Sequence, residues 1–341
     1  MREKLGISEE LLRACLQDQY AISAVTIEFL PLGLDMRAGV YRVVSEQGDT
    51  YLLKVKAGAL YEPSCFVPRY LHDQGIPAVV APLYTRRKTL WTRVEDWTVI
   101  VYPFIEGDVT WNPPMTDEQW QNVGKTLNRI HQVRLPADGF ESLRKETFDP
   151  TAYSRSVYAF DTQQARAEGG SQVEQELRSS WMEYQPTIQK GVTSLEKLAD
   201  ALQRQSGPQV ICHADLHPSN MIRSQANQIF VIDWDDVMLA PKERDFIFIN
   251  DARANPSTQH DSTPFFQGYG PTEIDWIALT YYLWERVIQD VIAFAEEVLF
   301  RDDLGEATKI ESLQWFRINL SRGGKVDEAV AAAAHLPADL R

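Results

Sequence analysis

Residues capable of chemistry crowd into one short stretch, HADLHPSN, from His213 to Asn220. His213, Asp215 and His217 alternate, and alternate residues of a strand share a face. Nitrogen and oxygen donors placed that way would suit zinc, so a metal hydrolase is one reading. Against it, Pro218, Ser219 and Asn220 stop a strand near His213, and no HExxH or CxxC accompanies the cluster. Phosphoryl transfer is the second reading. It needs a carboxylate at the acceptor hydroxyl, oxygen ligands for Mg²⁺ and a cation on the nucleotide phosphates. Asp215 can be that carboxylate. Asn220, five residues on, offers a neutral amide oxygen, and Asp233 in VIDWD adds a charged one after the next apolar strand. Taken singly, each would pass as a turn former or an Asx cap. The combination H-x-D-x-x-x-x-N, an apolar strand and I-D-W favours phosphotransfer.

The cation must come from elsewhere in the chain. YLLKVK puts Lys54 and Lys56 on one face of a strand, because the side-chain period is two, and either could reach phosphates. The strand belongs to a β-rich first hundred residues with TIEFL (26–30), VYRVV (40–44), YLLKV (51–55) and WTVIVY (97–102). Ser8 is placed to cap a helix ahead of them, SEQGDT reads as a hairpin turn, and a helix over about 64–73 is stopped by Gly75 and Pro77. PFIEGDVTWNPP reads as a linker. Beyond it Thr116 and Gln119 form a capping box before Trp120, Val123, Leu127 and Ile130 on one helical face. A long helical stretch fills 151–205, a lone hairpin carries the HADLHPSN loop, and helices resume after Pro241. The expectation is an α+β chain of two bodies, 1–103 β-rich and 104–341 mostly helical.

The whole composition limits the partners. A net charge of −14 on 341 residues argues against nucleic acid and anionic membranes and suits a cationic ligand. The start, MREKLGISEELLRACL, lacks the apolar core of a signal peptide, and no apolar run reaches the roughly 18 residues of a membrane span. Cys15, Cys65 and Cys212 are too few and too scattered for a disulfide framework, so three reduced thiols in a cytoplasmic protein are expected, with a monomer as the default.

HADLHPSN and VIDWDD, with the strand lysine of YLLKV, resemble the aminoglycoside phosphotransferase family, relatives of the protein kinases. LHDQGI (71–76), YPFIEG (102–107), VGKTLNRIH (123–131), DWDDVMLAPKERDFIFI (233–249) and YYLWERVIQD (281–290) resemble its spectinomycin phosphotransferase branch. The resemblance implies a two-lobed protein-kinase-like fold, residues 1–103 binding ATP and residues 104–341 carrying catalysis and the acceptor. It makes Asp215 the catalytic carboxylate, Asn220 and Asp233 the Mg²⁺ ligands, and Lys54 the lysine on the phosphates. Pro103, Phe104 and Ile105 become the adenine hinge, with Tyr102 behind it, and Gly33 part of the nucleotide loop. His213 would brace the catalytic loop, and Glu62 is either the partner of Lys54 or a surface acid.

A cationic, hydroxyl-rich acceptor wants carboxylates and aromatic faces. Asp235, two residues past the metal aspartate, is the first candidate, with Tyr281, Trp284 and Glu285 on one helical face. The reading reached is an ATP- and Mg²⁺-dependent O-phosphotransferase acting on an aminocyclitol such as spectinomycin. A kinase of a small metabolite such as choline, homoserine or a sugar, and a pseudokinase that holds nucleotide without turnover, are the alternatives.

Overall fold

The computed structural model describes residues 5–32, 38–111, 113–136, 138–164, 169–205, 207–249 and 263–341. In chain order the elements begin with α1 (Glu9–Cys15), β1 (Ala24–Leu30), β2 (Ala38–Ser45), β3 (Thr50–Ala57), α2 (Pro63–Asp73), β4 (Thr92–Val94), β5 (Trp97–Pro103) and β6 (Gly107–Val109). Next come α3 (Asp117–Gln132), α4 (Thr151–Gln164), α5 (Gln172–Gln203), β7 (Val210–Cys212), β8 (Met221–Ser224), β9 (Ile229–Val231) and β10 (Met238–Ala240). The last are α6 (Pro264–Tyr269), α7 (Trp276–Phe300), α8 (Glu306–Leu320) and α9 (Lys325–Ala333). By internal contacts the chain divides into two compact units, Met1–Arg144 with Val210–Leu239 and His260–Pro271, and Lys145–Gln209 with Ala240–Gln259 and Thr272–Arg341. This grouping differs from a single division at 103/104.

In the first unit an antiparallel sheet runs β1-β2-β3-β5-β4. Alternation along β3 sorts its side chains by face: Leu53 and Val55 are buried, and Lys54 and Lys56 lie on the opposite face. Leu53 and Val55 join Tyr41, Val43, Val99 and Val101 in a core closed by Leu12, Cys15 and Leu16. Ser8 caps α1 by accepting the Leu11 N–H, as its residue type predicts. The lysine face is the one where Lys54 pairs across the sheet with Val40 and Ile100. There a smaller cluster of Cys65, Leu90 and Ile100, with Tyr102 against it, seats α2.

The stretch read as a linker contains β6, which pairs antiparallel with β8 to make a second sheet, β6-β8-β9. GDV has no apolar periodicity of its own; it becomes a strand because β8 offers it an edge. Gly107 is required for that approach, since a Cβ there would lie 2.1 Å from the Arg223 carbonyl oxygen. The hairpin is not isolated either. The Val80 N–H donates to Val231 O at 3.0 Å, and the Val231 N–H donates to Ala78 O at 2.8 Å. The loop that carries HADLHPSN is thereby fixed to the unit that holds the lysines.

Helix α3 starts with the predicted capping box, Thr116 accepting the Gln119 N–H and Gln119 returning the bond. It packs on α6 at a distance that only glycine allows. A Cβ on Gly124 would sit 2.1 Å from Phe265 O and 2.7 Å from Tyr269 N, both of them backbone atoms. Gly124→Ala is therefore expected to lower stability by about 3 kcal/mol, the upper end of overpacking costs. A thermal melt of the variant checks this; an unchanged midpoint would contradict the packing.

The second unit is helical. α5 and α7 cross where Gly191 meets the Trp284 ring, a Cβ there lying 3.0 Å from its Cε3. Trp181 stacks on Phe316 at 6.0 Å, tying α5 to α8. All three cysteines are buried free thiols, and burial pushes Cys65 up to about 11, which keeps it protonated at neutral pH. No helix among the described residues is long and apolar enough to cross a membrane.

Candidate active site

The catalytic loop is built around Ile232. His213 is fully buried and receives the Asp215 N–H on Nδ1 at 3.3 Å, so its proton sits on Nε2, which donates to Ile232 O at 2.9 Å. Ile232 N–H in turn donates to Asn220 O at 3.0 Å. Asp233 follows Ile232 directly, so both ends of the loop are pinned to the residue that precedes it. Ala214 and Asp233 have φ of 69° and 60°, a left-handed backbone that costs energy without a glycine and so reports tertiary constraint. Both ring nitrogens of His213 are spent on the backbone, which removes it as a zinc ligand and with it the metal-hydrolase reading of the cluster.

Asn220 is buried and its amide nitrogen donates to Asp215 O at 2.9 Å and to Asp215 Oδ2 at 3.2 Å. That commits the donor end of the amide to Asp215 and leaves its oxygen as a neutral ligand on the other side. His217 is more than a solvated side chain. Its Nδ1 accepts the Ser219 N–H at 3.1 Å, so the proton is on Nε2, 3.3 Å from Asp215 Oδ2. Asp215 therefore receives two donors on Oδ2.

Lys54 Nζ lies 2.8 Å from Asp233 Oδ1 and 2.9 Å from Asp235 Oδ2, and Lys56 Nζ is 2.7 Å from the same Asp235 oxygen. Burial alone would lower the Lys54 ammonium; Asp233 and Asp235 reverse that and hold it above its ordinary value. Burial would likewise raise Asp235, and Lys54 and Lys56 overcome it, keeping the carboxyl below the usual range. The signs fix the pH window. The Asp235 contribution is present above the ordinary carboxylate value and fades as pH falls through the lowered one. The Lys54 contribution is present below the ordinary lysine value and is lost only as pH rises through the raised one. Both are whole at neutral pH.

The segment 233–237 is also gripped from the side. The Tyr61 hydroxyl donates to Val237 O and accepts the Arg144 N–H, both at 2.9 Å. The Arg144 guanidinium lies 4.3 Å from the Tyr61 ring centroid and 3.3 Å from Asp236 Oδ1. Neither residue carries a sequence signal, because the partners are about eighty or more positions away.

At the end of β5, Pro103 has no N–H and the Phe104 N–H goes to Thr50 O at 3.3 Å. Ile105 holds the backbone donor of this stretch that no described group takes. Tyr102 packs behind, against the Cys65–Ile100 cluster, and Phe104 has the Arg42 guanidinium 5.3 Å from its ring. Gly33 lies outside the described residues.

Two expectations are corrected and one open alternative is narrowed. Glu62 is exposed at the start of α2, and Lys54 is held by Asp233 and Asp235 instead. Tyr281, Trp284 and Glu285 do not offer a binding face: they are 0%, 1% and 6% exposed. α7 is apolar around most of its circumference, so its aromatics fill the core of the helical unit. Glu285 is ion-paired with Arg244; burial pushes its carboxyl up and Arg244 offsets part of that. Asp235, expected to meet a cationic acceptor, meets the chain's own lysines. An aromatic that the sequence reading missed stands near the loop: Trp111 is 58% exposed, its indole N–H tied to Ser219 Oγ, while Thr110 bonds Pro218 O and Met221 O. A lone tryptophan in a proline-rich stretch gives no periodic signal.

Oxygen donors of the kind held by Asn220 and Asp233 fit a hard divalent cation, and Lys54 beside them fits a phosphate. Residues 26–280 match the phosphotransferase enzyme family. Protein StrN of Streptomyces griseus is 27% identical over 230 residues, 64% of this chain and 68% of that protein. Among solved structures, spectinomycin phosphotransferase APH(9)-Ia in complex with ADP and spectinomycin superposes with a TM-score of 0.86 at 29% identity, covering 96% of this chain and 99% of that one. Its AMP-bound complex gives 0.81 at 28%, covering 95% and 99%. Choline kinase LicA from Streptococcus pneumoniae, at 15% identity, a TM-score of 0.53 and coverage of 96% and 99%, shares the fold alone.

Proposed function

Since the chain belongs to the phosphotransferase enzyme family, we propose that it transfers the γ-phosphoryl group of ATP to a hydroxyl of a cationic aminocyclitol, with spectinomycin the preferred acceptor. The observation that carries the reading is the convergence at Ile232, which sets Asp215 and Asn220 beside Asp233, with Lys54 bonded to Asp233 at 2.8 Å. A pseudokinase would have no need to keep all four groups in register. In this reading residues 1–103 form the nucleotide-binding lobe, residues 104–341 carry catalysis and the acceptor, and the enzyme works in the cytoplasm.

Each side chain then has a task. When bound, the nucleotide brings the phosphoryl group and Mg²⁺ brings positive charge to the transferring oxygens. Asn220 and Asp233 would hold the metal. Lys54 would offer its ammonium to the phosphates, and the backbone of Pro103 and Ile105 would pair with adenine, with Phe104 against the base and Tyr102 behind the hinge. Asp215, oriented through Oδ2 by Asn220 and His217, accepts the acceptor hydroxyl with its other oxygen and takes its proton. The acceptor's ammonium groups are met by the open face of Trp111, an indole fixed to the catalytic loop at Ser219.

The test is a panel of cationic and neutral hydroxyl compounds with ATP and Mg²⁺, read as ADP release. Spectinomycin should turn over with the highest kcat/KM. Trp111→Ala should raise the acceptor KM by about threefold, the worth of a cation–π contact at an exposed ring, and leave the ATP KM unchanged. Release of ADP only with choline or a sugar would move the assignment to a metabolite kinase.

A further inference from the structure

Lys54 can serve the phosphates only if something other than a metal ligand keeps it in place. In phosphotransferases of the protein-kinase class that anchor is a glutamate on the helix after the lysine strand. Here the helix is α2, PSCFVPRYLHD, whose one acid, Asp73, is spent on Arg69 at 2.6 Å. Glu62 precedes the helix and is exposed. The partners of Lys54 are Asp233 and Asp235, at 2.8 and 2.9 Å.

We propose that Asp235 is the positioning residue for Lys54 in this chain, supplying from beyond the metal aspartate the anchor that α2 lacks, with Lys56 bonded to the same Asp235 oxygen. The proposal rests on the phosphotransferase reading. Geometry gives the reason for two lysines. Lys54 and Lys56 stand on one face of β3, two residues apart, and both reach Asp235 Oδ2, Lys56 at 2.7 Å. The backbone of the same segment is held by the Tyr61 hydroxyl on Val237 O and by Arg144 on Asp235 O. Asp235 is thus a braced carboxylate. It gives Lys54 a second partner, so that Asp233 is free to leave the ammonium for the metal. Without it, Lys54 and the metal compete for one carboxylate.

The experiment is calorimetric binding of ADP to the full chain as a function of Mg²⁺ concentration, which needs neither turnover nor an acceptor. Asp235→Asn should raise the Mg²⁺ concentration for half-maximal ADP binding about tenfold, the effect of one lost charge-assisted hydrogen bond. Removing a carboxylate near a cation site would do some of this by charge alone. The double variant Asp235→Asn/Lys56→Met separates the two causes, because it restores the net charge of the site without restoring the anchor. It should remain shifted like Asp235→Asn, and Lys56→Met alone should shift little. A double variant that returns to the wild-type Mg²⁺ dependence, or an Asp235→Asn protein that never departs from it, overturns the anchor and leaves the phosphotransferase reading standing. Wild-type protein that binds no ADP at any Mg²⁺ concentration overturns both. Melting of the nucleotide-free variants should show all three folded, with Asp235→Asn the least stable, since it leaves two ammonium groups short of a carboxylate.

Discussion

Asp215→Asn should lower kcat by about 10²–10⁴-fold, the range for loss of a positioned general base, with the ADP affinity and the melting temperature near wild type. The change removes basicity and little else. The backbone carbonyl that takes the Asn220 amide at 2.9 Å is untouched, and an amide oxygen can still accept from Asn220 and from His217, which lie 3.2 and 3.3 Å from Asp Oδ2. His213 keeps both its backbone bonds. Steady-state kinetics on the purified variant, with a melt beside them, check the prediction. Turnover within tenfold of wild type would mean that the carboxylate at 215 neither takes the proton nor orients the hydroxyl.

Lys54→Met carries the second large effect, and it falls on stability as well as rate. The ammonium is shared by two carboxylates. Its loss leaves Lys56 as the remaining cation bonded to Asp235 and strips Asp233 of its lysine. Breaking a fully buried pair costs about 3–5 kcal/mol. Asp233 is 44% exposed, so solvent screens part of the uncompensated charge and about 1–3 kcal/mol is expected. Turnover should fall about 10²–10³-fold, as when one preorganised cationic or hydrogen-bonding partner of the developing charge is removed. Lys56→Met, on the same strand face, should keep kcat within tenfold. If the two lysine variants behaved alike, the assignment of Lys54 rather than Lys56 to the phosphates would be wrong.

Much of the nucleotide-side architecture was legible because the sequence states it locally. The apolar runs VYRVV, YLLKV and WTVIVY mark strands with residues in the core, and the structure pairs those strands as neighbours. Ser8 and the Thr116–Gln119 box mark helix starts because a helix's first N–H groups need an acceptor. The spacing of Asp215, Asn220 and Asp233 was informative since one loop and one hairpin are too short to scatter them. What was not legible depended on distant partners. Asp235 looked like a substrate acid because its lysines are about 180 positions earlier. Tyr281, Trp284 and Glu285 share a helical face, but periodicity cannot tell a face turned to a ligand from one turned to a core. The length of apolar residues on α7 was the available sign that it is buried nearly all round. β6 went unread because its three residues form a strand only against β8.

The most direct test of the central claim is mass spectrometry of spectinomycin after incubation with the wild-type chain, ATP and Mg²⁺, alongside the nucleotide products. A phosphotransferase centre at Asp215, Asn220, Asp233 and Lys54 predicts spectinomycin carrying one added phosphoryl group, ADP formed in equal amount, and neither product with Asp215→Asn. Unmodified spectinomycin and no ADP from a folded, nucleotide-binding protein would contradict the acceptor assignment, and equal product from the Asp215→Asn variant would contradict the centre itself.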